Sequence, residues 1–233
     1  MAYPGGGPSA CAASGAGCLL VSMRLTKFEH AALQLEKNGR RLFIDPGSFT
    51  TAITEAQNTV AVVITHEHAD HWTPDQLRRI LDASPDAVVY GPSGVVAAAK
   101  DVPVVEVRAG EVVEAGPFRL QFFGGRHAVI HSSIPVVDNL GVVVDDTLFY
   151  PGDSFADPAQ QIDLLAVPVG APWMKIADAI DYVLSVKPKR AFATHEMVLS
   201  VAGKQMGHDR LRWATEQVGG EYHALEPGDS LDI

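Results

Sequence analysis

Two rhythms of apolar and polar positions run along the chain from Met23 onward. One is the short apolar run bounded by turn residues, which reads as a strand. Stretches 31–36 and 41–44 are such runs, joined by Lys37-Asn38-Gly39-Arg40, and Asn-Gly is a strong hairpin signal. Val60 to Ile64 is apolar throughout, as expected of a strand buried on both faces. Further strands are predicted over 87–90, 102–107, 111–114, 118–123, 140–144, 147–150, 163–168 and 190–193. The second rhythm is helical. Thr73 suits the cap, Pro74 the first helical position, and Gln76 completes a capping-box pattern; Leu77, Ile80 and Leu81 form a buried face before Ser84-Pro85. A second helix is predicted from a Ser93 cap to about Lys100. A third covers 175–186, with a stripe at Ile176, Ala179, Ile180, Val183 and Leu184. Hairpins interrupt the alternation of strand and helix, so neither a simple doubly wound sheet nor a barrel fits.

The polar positions that break this pattern cluster directly after Ile64. Thr65-His66-Glu67-His68-Ala69-Asp70-His71 gathers His66, His68, Asp70 and His71 where the chain leaves a strand. Alternation along an extended segment puts His66 and His68 on one side, within reach of one cation. Asp70 and His71 follow as the chain bends toward Thr73, placed to hold a second. A merely polar loop would crowd these groups together at a cost in repulsion and desolvation that a cation removes. Asp45, in Asp45-Pro46-Gly47, reads either as an acceptor bracing a ligand imidazole or as an Asx turn before proline.

HEHADH resembles the HxHxDH motif of the metallo-β-lactamase superfamily. Arg126-His127, Pro151-Gly152-Asp153-Ser154 and Thr194-His195 look like its remaining ligand positions, in the same order. The resemblance runs from Met23 to the C-terminus. It implies an α/β (α+β) fold, the four-layer αβ/βα sandwich, with metals at one edge between the sheets. It also implies His66, His68 and His127 on one ion, Asp70, His71 and His195 on another, and Asp153 bridging them. His131 rivals His127 for the third position; His127 is preferred because it lies directly off a strand end. His30 matches a position often held by histidine in lactonase-like members. This nitrogen-rich set suits Zn²⁺ first, with Fe or Mn as alternatives. Two ions lower the pKa of a shared water toward about 7, giving a hydroxide that attacks a carbonyl or phosphoryl centre. Asp70 is the expected catalytic residue, orienting that nucleophile and moving its proton. The implied activity is metal-dependent hydrolysis of a small, anionic ester, lactone or phosphoester. The alternatives are a single-iron oxidoreductase acting on a sulfur compound, and a phosphodiesterase or nuclease. Trp72 and Trp173 read either as walls of the cleft or, more commonly for tryptophan, as packed aromatic side chains; His208 is expected to be exposed, and His223 to be structural or solvated.

Composition narrows the partners. The formal net charge of −10 disfavours nucleic acid held by a general basic surface. Charge is uneven, however: Lys187, Lys189, Arg190, Lys204, Arg210 and Arg212 are opposed locally only by Glu196 and Asp209, which would favour an anionic small substrate. No long uncharged apolar run predicts a membrane span. The only cysteines, Cys11 and Cys18, exclude a disulfide framework for the main body and fit a cytoplasmic location. Residues 1–22, rich in Gly, Ala and Ser and without a charged n-region ahead of a long apolar stretch, read as a flexible extension rather than a signal peptide. Residues 23–233 read as one hydrolase domain.

Overall fold

The computed structural model describes residues 22–233; the extension up to residue 21, with both cysteines, lies outside the described residues. In chain order the first half comprises β1 (Arg24–Lys27), β2 (Leu33–Lys37), β3 (Arg40–Ile44), β4 (Thr59–Val63), α1 (Pro74–Ala83), β5 (Val88–Gly91), α2 (Ser93–Ala98) and β6 (Val104–Glu106). The second comprises β7 (Val112–Ala115), β8 (Phe118–Gly124), β9 (Leu140–Val144), β10 (Leu148–Tyr150), β11 (Leu164–Pro168), α3 (Ile176–Val186), β12 (Arg190–Thr194), α4 (Val201–Gln217), β13 (Glu221–Tyr222) and β14 (Ser230–Asp232). The strands form two seven-stranded sheets, ordered β14-β1-β2-β3-β4-β5-β6 and β13-β12-β11-β10-β9-β8-β7.

Period-two alternation sorts side chains of one strand into different cores. Ala61 and Val63 of β4 face the layer between the sheets, with Leu35, Phe118, Val142 and Phe192. Val62 of β4, with Ile64 beyond its end, turns outward to Leu77 and Ile80 of α1. In the other sheet, Leu165 and Val167 turn outward to Ala179 and Val183 of α3 and Leu211 of α4. Both sheets are therefore covered on both faces, which explains why their central strands read as continuous apolar runs. The architecture is the expected four-layer αβ/βα sandwich.

Local signals held with some corrections. Asn38 and Gly39 both have positive φ, 53° and 69°, as a two-residue turn between β2 and β3 requires. Thr73 Oγ1 accepts from Gln76 N, capping α1. The Gln76 side chain does not complete the box. Its Oε1 instead accepts from Ile53 N at 3.0 Å while Nε2 donates to Thr50 O at 3.0 Å, tying the loop after β3 to the helix. In α2, Pro92 holds the cap position and the Ser93 hydroxyl bonds Asp138. The stripe of α3 is narrower than expected, because Ile176 stays 40% exposed.

A buried ion pair is among the polar contacts that join the sheets. Lys27, at the end of β1, is 0% exposed and pairs with the buried Glu196 that follows β12. The Lys27 Nζ also donates to Phe28 O at 3.2 Å. Removing one partner of such a pair strands a buried charge and costs about 3–5 kcal/mol, whereas replacing both with apolar groups costs far less. Lys27→Met should therefore lower stability by about that amount, and Lys27→Met with Glu196→Leu should recover most of it. Denaturant unfolding of both variants checks this; a double variant as unstable as the single one would contradict it.

Candidate metal centre

Loops leaving the C-terminal ends of strands in both sheets meet at one edge of the sandwich. The loop after β4 carries His66 to His71. It is seated by Gly47, in the loop after β3: a Cβ there would lie 1.8 Å from Asp70 O, so only glycine permits this approach. Ser48 N donates to Ala69 O at 2.8 Å across the same contact. The other sheet is joined at Thr65, whose carbonyl accepts from Leu140 N at 2.9 Å, and at His30, whose carbonyl accepts from His195 N at 2.8 Å. His30, Asp45 and His195 all have positive φ, at 60°, 47° and 61°. Such strain costs on the order of 1–3 kcal/mol per residue and persists where surroundings over-determine it.

The histidine and aspartate side chains fall into three overlapping groups. His66, His68 and His127 form one; Asp70, His71, His195 and His30 form the second; Asp153 joins His66 and His71 in a third. Asp153 Oδ1 lies 3.1 Å from His71 Nε2, and Oδ2 lies 3.3 Å from His127 Nε2 and 3.2 Å from His195 Nε2. None of these contacts has the alignment of a hydrogen bond: His71 Nε2, His127 Nε2, His195 Nε2 and Asp153 Oδ1 are buried without a partner. Buried polar atoms are ordinarily paired, so four that converge unpaired make a cradle fitted to a cation.

The outer nitrogens fix this orientation. His127 Nδ1 donates to Ala128 O and His195 Nδ1 to Gly170 O, both at 2.6 Å. His71 Nδ1 meets Asp45 Oδ2 at 2.6 Å. Asp45 Oδ2 also accepts from Thr65 Oγ1 at 2.6 Å and Tyr150 OH at 3.0 Å, and Oδ1 accepts from Thr65 N at 2.8 Å. Because the Thr65 hydroxyl proton goes to Asp45, its oxygen accepts from His66 Nδ1 at 3.0 Å. Of the two readings of Asp45, the brace is the one the structure contains.

Electrostatics divide the cluster. Burial, reinforced by the charge of His71, holds His66 well below its ordinary pKa. Burial likewise lowers His68 and takes His30 down to about 4. His71 is raised well above its ordinary value: burial opposes the charge, but Asp153 and Asp45 outweigh it. His195 reaches about 9 against the same burial penalty, through contacts with Asp153 and Asp70. Asp153 and Asp70 are both depressed by surrounding imidazoles despite desolvation. Without a cation, the carboxylates retain protons on the imidazoles in its place.

All seven residues singled out for the metal set, His66, His68, Asp70, His71, His127, Asp153 and His195, are gathered in this cluster. His131 is not; it is exposed and bonded to Ser133 Oγ at 2.8 Å. His30 joins through Nε2, 3.2 Å from Asp70 Oδ2, and packs against His195 with the rings tilted and their centroids 3.9 Å apart. Trp173 donates Nε1 to Asp153 Oδ2 at 2.9 Å and walls the site. Trp72 does not. It is buried under the ligand loop, donating to Glu67 O at 3.1 Å and packing in the core beneath. His208 is buried rather than exposed, paired with Tyr222 OH at 2.7 Å. The support from Tyr150 and Gly170 was not anticipated: an apolar strand end and a glycine carry no pattern that marks Tyr150 as a donor to Asp45 or Gly170 as the acceptor for His195.

A four-layer αβ/βα sandwich with such a cluster at its edge defines the metallo-β-lactamase class of fold. Residues 24–195 match the beta-lactamase superfamily domain, and the chain belongs to that family. Protein Rv0786c of Mycobacterium tuberculosis is 35% identical over 208 residues, spanning 87% of this chain and 96% of its own. A UPF0173 metal-dependent hydrolase of Aeropyrum pernix is 25% identical over 90% of this chain and 97% of its own. The metallo-beta-lactamase fold protein YhfI of Bacillus subtilis superposes with a TM-score of 0.68 at 17% identity, covering 91% of this chain and all of that one, 100%.

Asp45→Asn weakens the acceptor that orients His71, so divalent-metal affinity should fall about 10–100-fold; competition with a chelating dye measures it, and unchanged affinity would contradict the brace. The pH dependence should also differ with metal state. In metal-free protein, His195 and His71 bind protons more tightly folded than unfolded, so their contribution is complete below about pH 6.5. The share of His195 is lost as pH rises through about 9. Chelated protein should therefore lose melting temperature between neutral pH and 9. Metal-loaded protein should lose it on acidification instead, as protons compete for the same nitrogens. Parallel melting curves for the two forms would overturn this assignment.

Proposed function

We propose that the protein is a metal-dependent hydrolase that uses two divalent cations to cleave a small, anionic ester, lactone or phosphoester. The observation that carries the reading is the convergence of buried, partnerless nitrogen and oxygen atoms at the sheet edge. His66, His68 and His127 would hold one cation, Asp70, His71 and His195 the other, with Asp153 between them. Bound there, two cations, Zn²⁺ being the best match to this donor set, supply Lewis acidity and a water acidic near neutral pH.

The chain's own groups do the rest. Asp70 has 26% of its side chain exposed, against 4% for Asp153, so it is the carboxylate that a water molecule reaches from solvent. It orients that water and takes its proton. His30, kept neutral by burial, donates from Nε2 to Asp70 Oδ2 and leaves the second Asp70 oxygen for that role. Trp173 fixes Asp153 through its indole N–H and excludes water from one side of the cluster. The existence of two complete donor groups favours this reading over a single-iron oxidoreductase of the same fold. The net charge of −10 supports a small-molecule substrate over nucleic acid.

Elemental analysis of protein purified without added metal should give about two ions per chain. His66→Ala should lose mainly one and His195→Ala mainly the other, with turnover of a lactone, thioester and phosphodiester panel falling in both. One ion in the parent and in both variants, or turnover indifferent to chelation, would overturn the proposal.

A further inference from the structure

Two chain segments from different sheets meet at the Asp70 side of the cluster. Residues 27–30 lie at the end of β1 and residues 195–197 at the end of β12. β1 pairs with β14 and β2, and β12 with β11 and β13, so no strand ladder sets the distance between them. Three polar contacts set it instead. Lys27 Nζ meets Glu196 Oε1, His195 N donates to His30 O at 2.8 Å, and Met197 N donates to His30 Nδ1 at 3.4 Å.

The last of these decides which nitrogen of His30 carries the proton. Nδ1 accepts from Met197 N, so in the neutral ring the proton is on Nε2, which lies 3.2 Å from Asp70 Oδ2. A protonated Nε2 donates to a carboxylate and cannot at the same time ligate a cation. His195 differs, because its Nδ1 is held within its own sheet by Gly170 O. The His30 ring is held from the opposite sheet, by the residue that follows Glu196. The ion pair itself is poorly built for stability. Both side chains are buried, a desolvation cost that such pairs seldom recover, and Glu196 Oε2 is buried with no partner. What the pair does supply is a fixed separation between the two segments.

We propose that Lys27 and Glu196 are a positioning pair for the cation held by Asp70, His71 and His195: clamping residue 196 to residue 27 keeps Met197 N on His30 Nδ1, and so keeps the His30 Nε2 proton on Asp70. This rests on the two-cation reading. It adds to that reading a way for two residues that contribute no ligand atom to set the affinity of one site and leave the other alone. Outer hydrogen bonds orient a ligand carboxylate and tune its hold on a metal. His66 and His127, on the other cation, take their outer contacts from Thr65 and Ala128, which the clamp does not touch.

The test is titration of metal-free protein with cobalt(II), followed by calorimetry and visible absorption. The variant is Lys27→Met with Glu196→Leu, which leaves no stranded charge, since Lys204 keeps Glu226. Its second cobalt ion should bind about tenfold more weakly, the low end for an outer contact, with altered absorption bands, while the first ion binds as in the parent and stability is largely regained. His30→Phe should weaken the second ion at least as much, and adding the double substitution to it should cost nothing further, because both changes act through one contact. The parent alone supplies a further check: in the zinc-loaded protein the imidazole ¹⁵N shifts of His30, assigned by their loss in His30→Phe, should report a proton on Nε2. A proton on Nδ1 overturns the proposal, as do losses that add in full. A parent that binds two cobalt ions, matched at both sites by the double variant, overturns the positioning pair alone. A parent that binds only one overturns the two-cation reading and the positioning pair with it.

Discussion

The Asp45 carboxylate is the interaction on which the rest of the metal edge depends. It is fully buried, and it accepts from the Thr65 backbone, the Thr65 hydroxyl, His71 and, from the opposite sheet, Tyr150. One side chain thus sets the start of the ligand loop, the tautomer of one imidazole and, through Thr65, that of His66. It also joins β3 to β10 across the inter-sheet core. A buried carboxylate is tolerated only where such donors surround it. Its donors are the groups whose positions matter, so the energetic requirement of Asp45 and the geometric requirement of the cluster are met by the same bonds.

Around that point the structure keeps several unfavourable features in place. His30, Asp45 and His195 hold left-handed backbone, and four ligand-type atoms lack partners. These costs sit at the junction of two sheets whose own cores are apolar and well filled, which is where a fold can hold strain in place. The Lys27–Glu196 pair directly behind His195 belongs to the same edge. A cation between the imidazoles and carboxylates would satisfy the partnerless atoms and release the protons that Asp153 and Asp70 otherwise retain on His71 and His195.

Much of this was legible in the residues. The ligand loop announced itself because its histidines follow an apolar strand at strand spacing, and Thr73-Pro74 announced α1 by cap chemistry. Asp153 and His195 were found through resemblance, since one aspartate after Pro-Gly and one histidine after a strand carry little local signal. The misses share a cause. β1 is four residues long, with Lys27 inside it, and a buried lysine reads as surface until Glu196 is seen beside it. α4 was not anticipated because its buried face is Gly207, His208, Leu211, Ala214 and Thr215, a polar-looking stripe whose His208 meets Tyr222 through Nδ1. Trp72 reads in the sequence as either cleft wall or packed side chain, because a tryptophan beside a ligand loop has the same local pattern whether it lines a cleft or supports the loop from beneath. In each case a distant partner decides, and period alone cannot name it.

The central claim is that the inward-facing atoms form two adjacent cation sites sharing Asp153. Anomalous diffraction at the zinc absorption edge, on crystals of zinc-loaded protein, tests it most directly. The account predicts two peaks about 3.5–4 Å apart, one beside His66, His68 and His127 and one beside Asp70, His71 and His195, with Asp153 contacting both. A single peak, or two peaks that Asp153 does not touch, would contradict it.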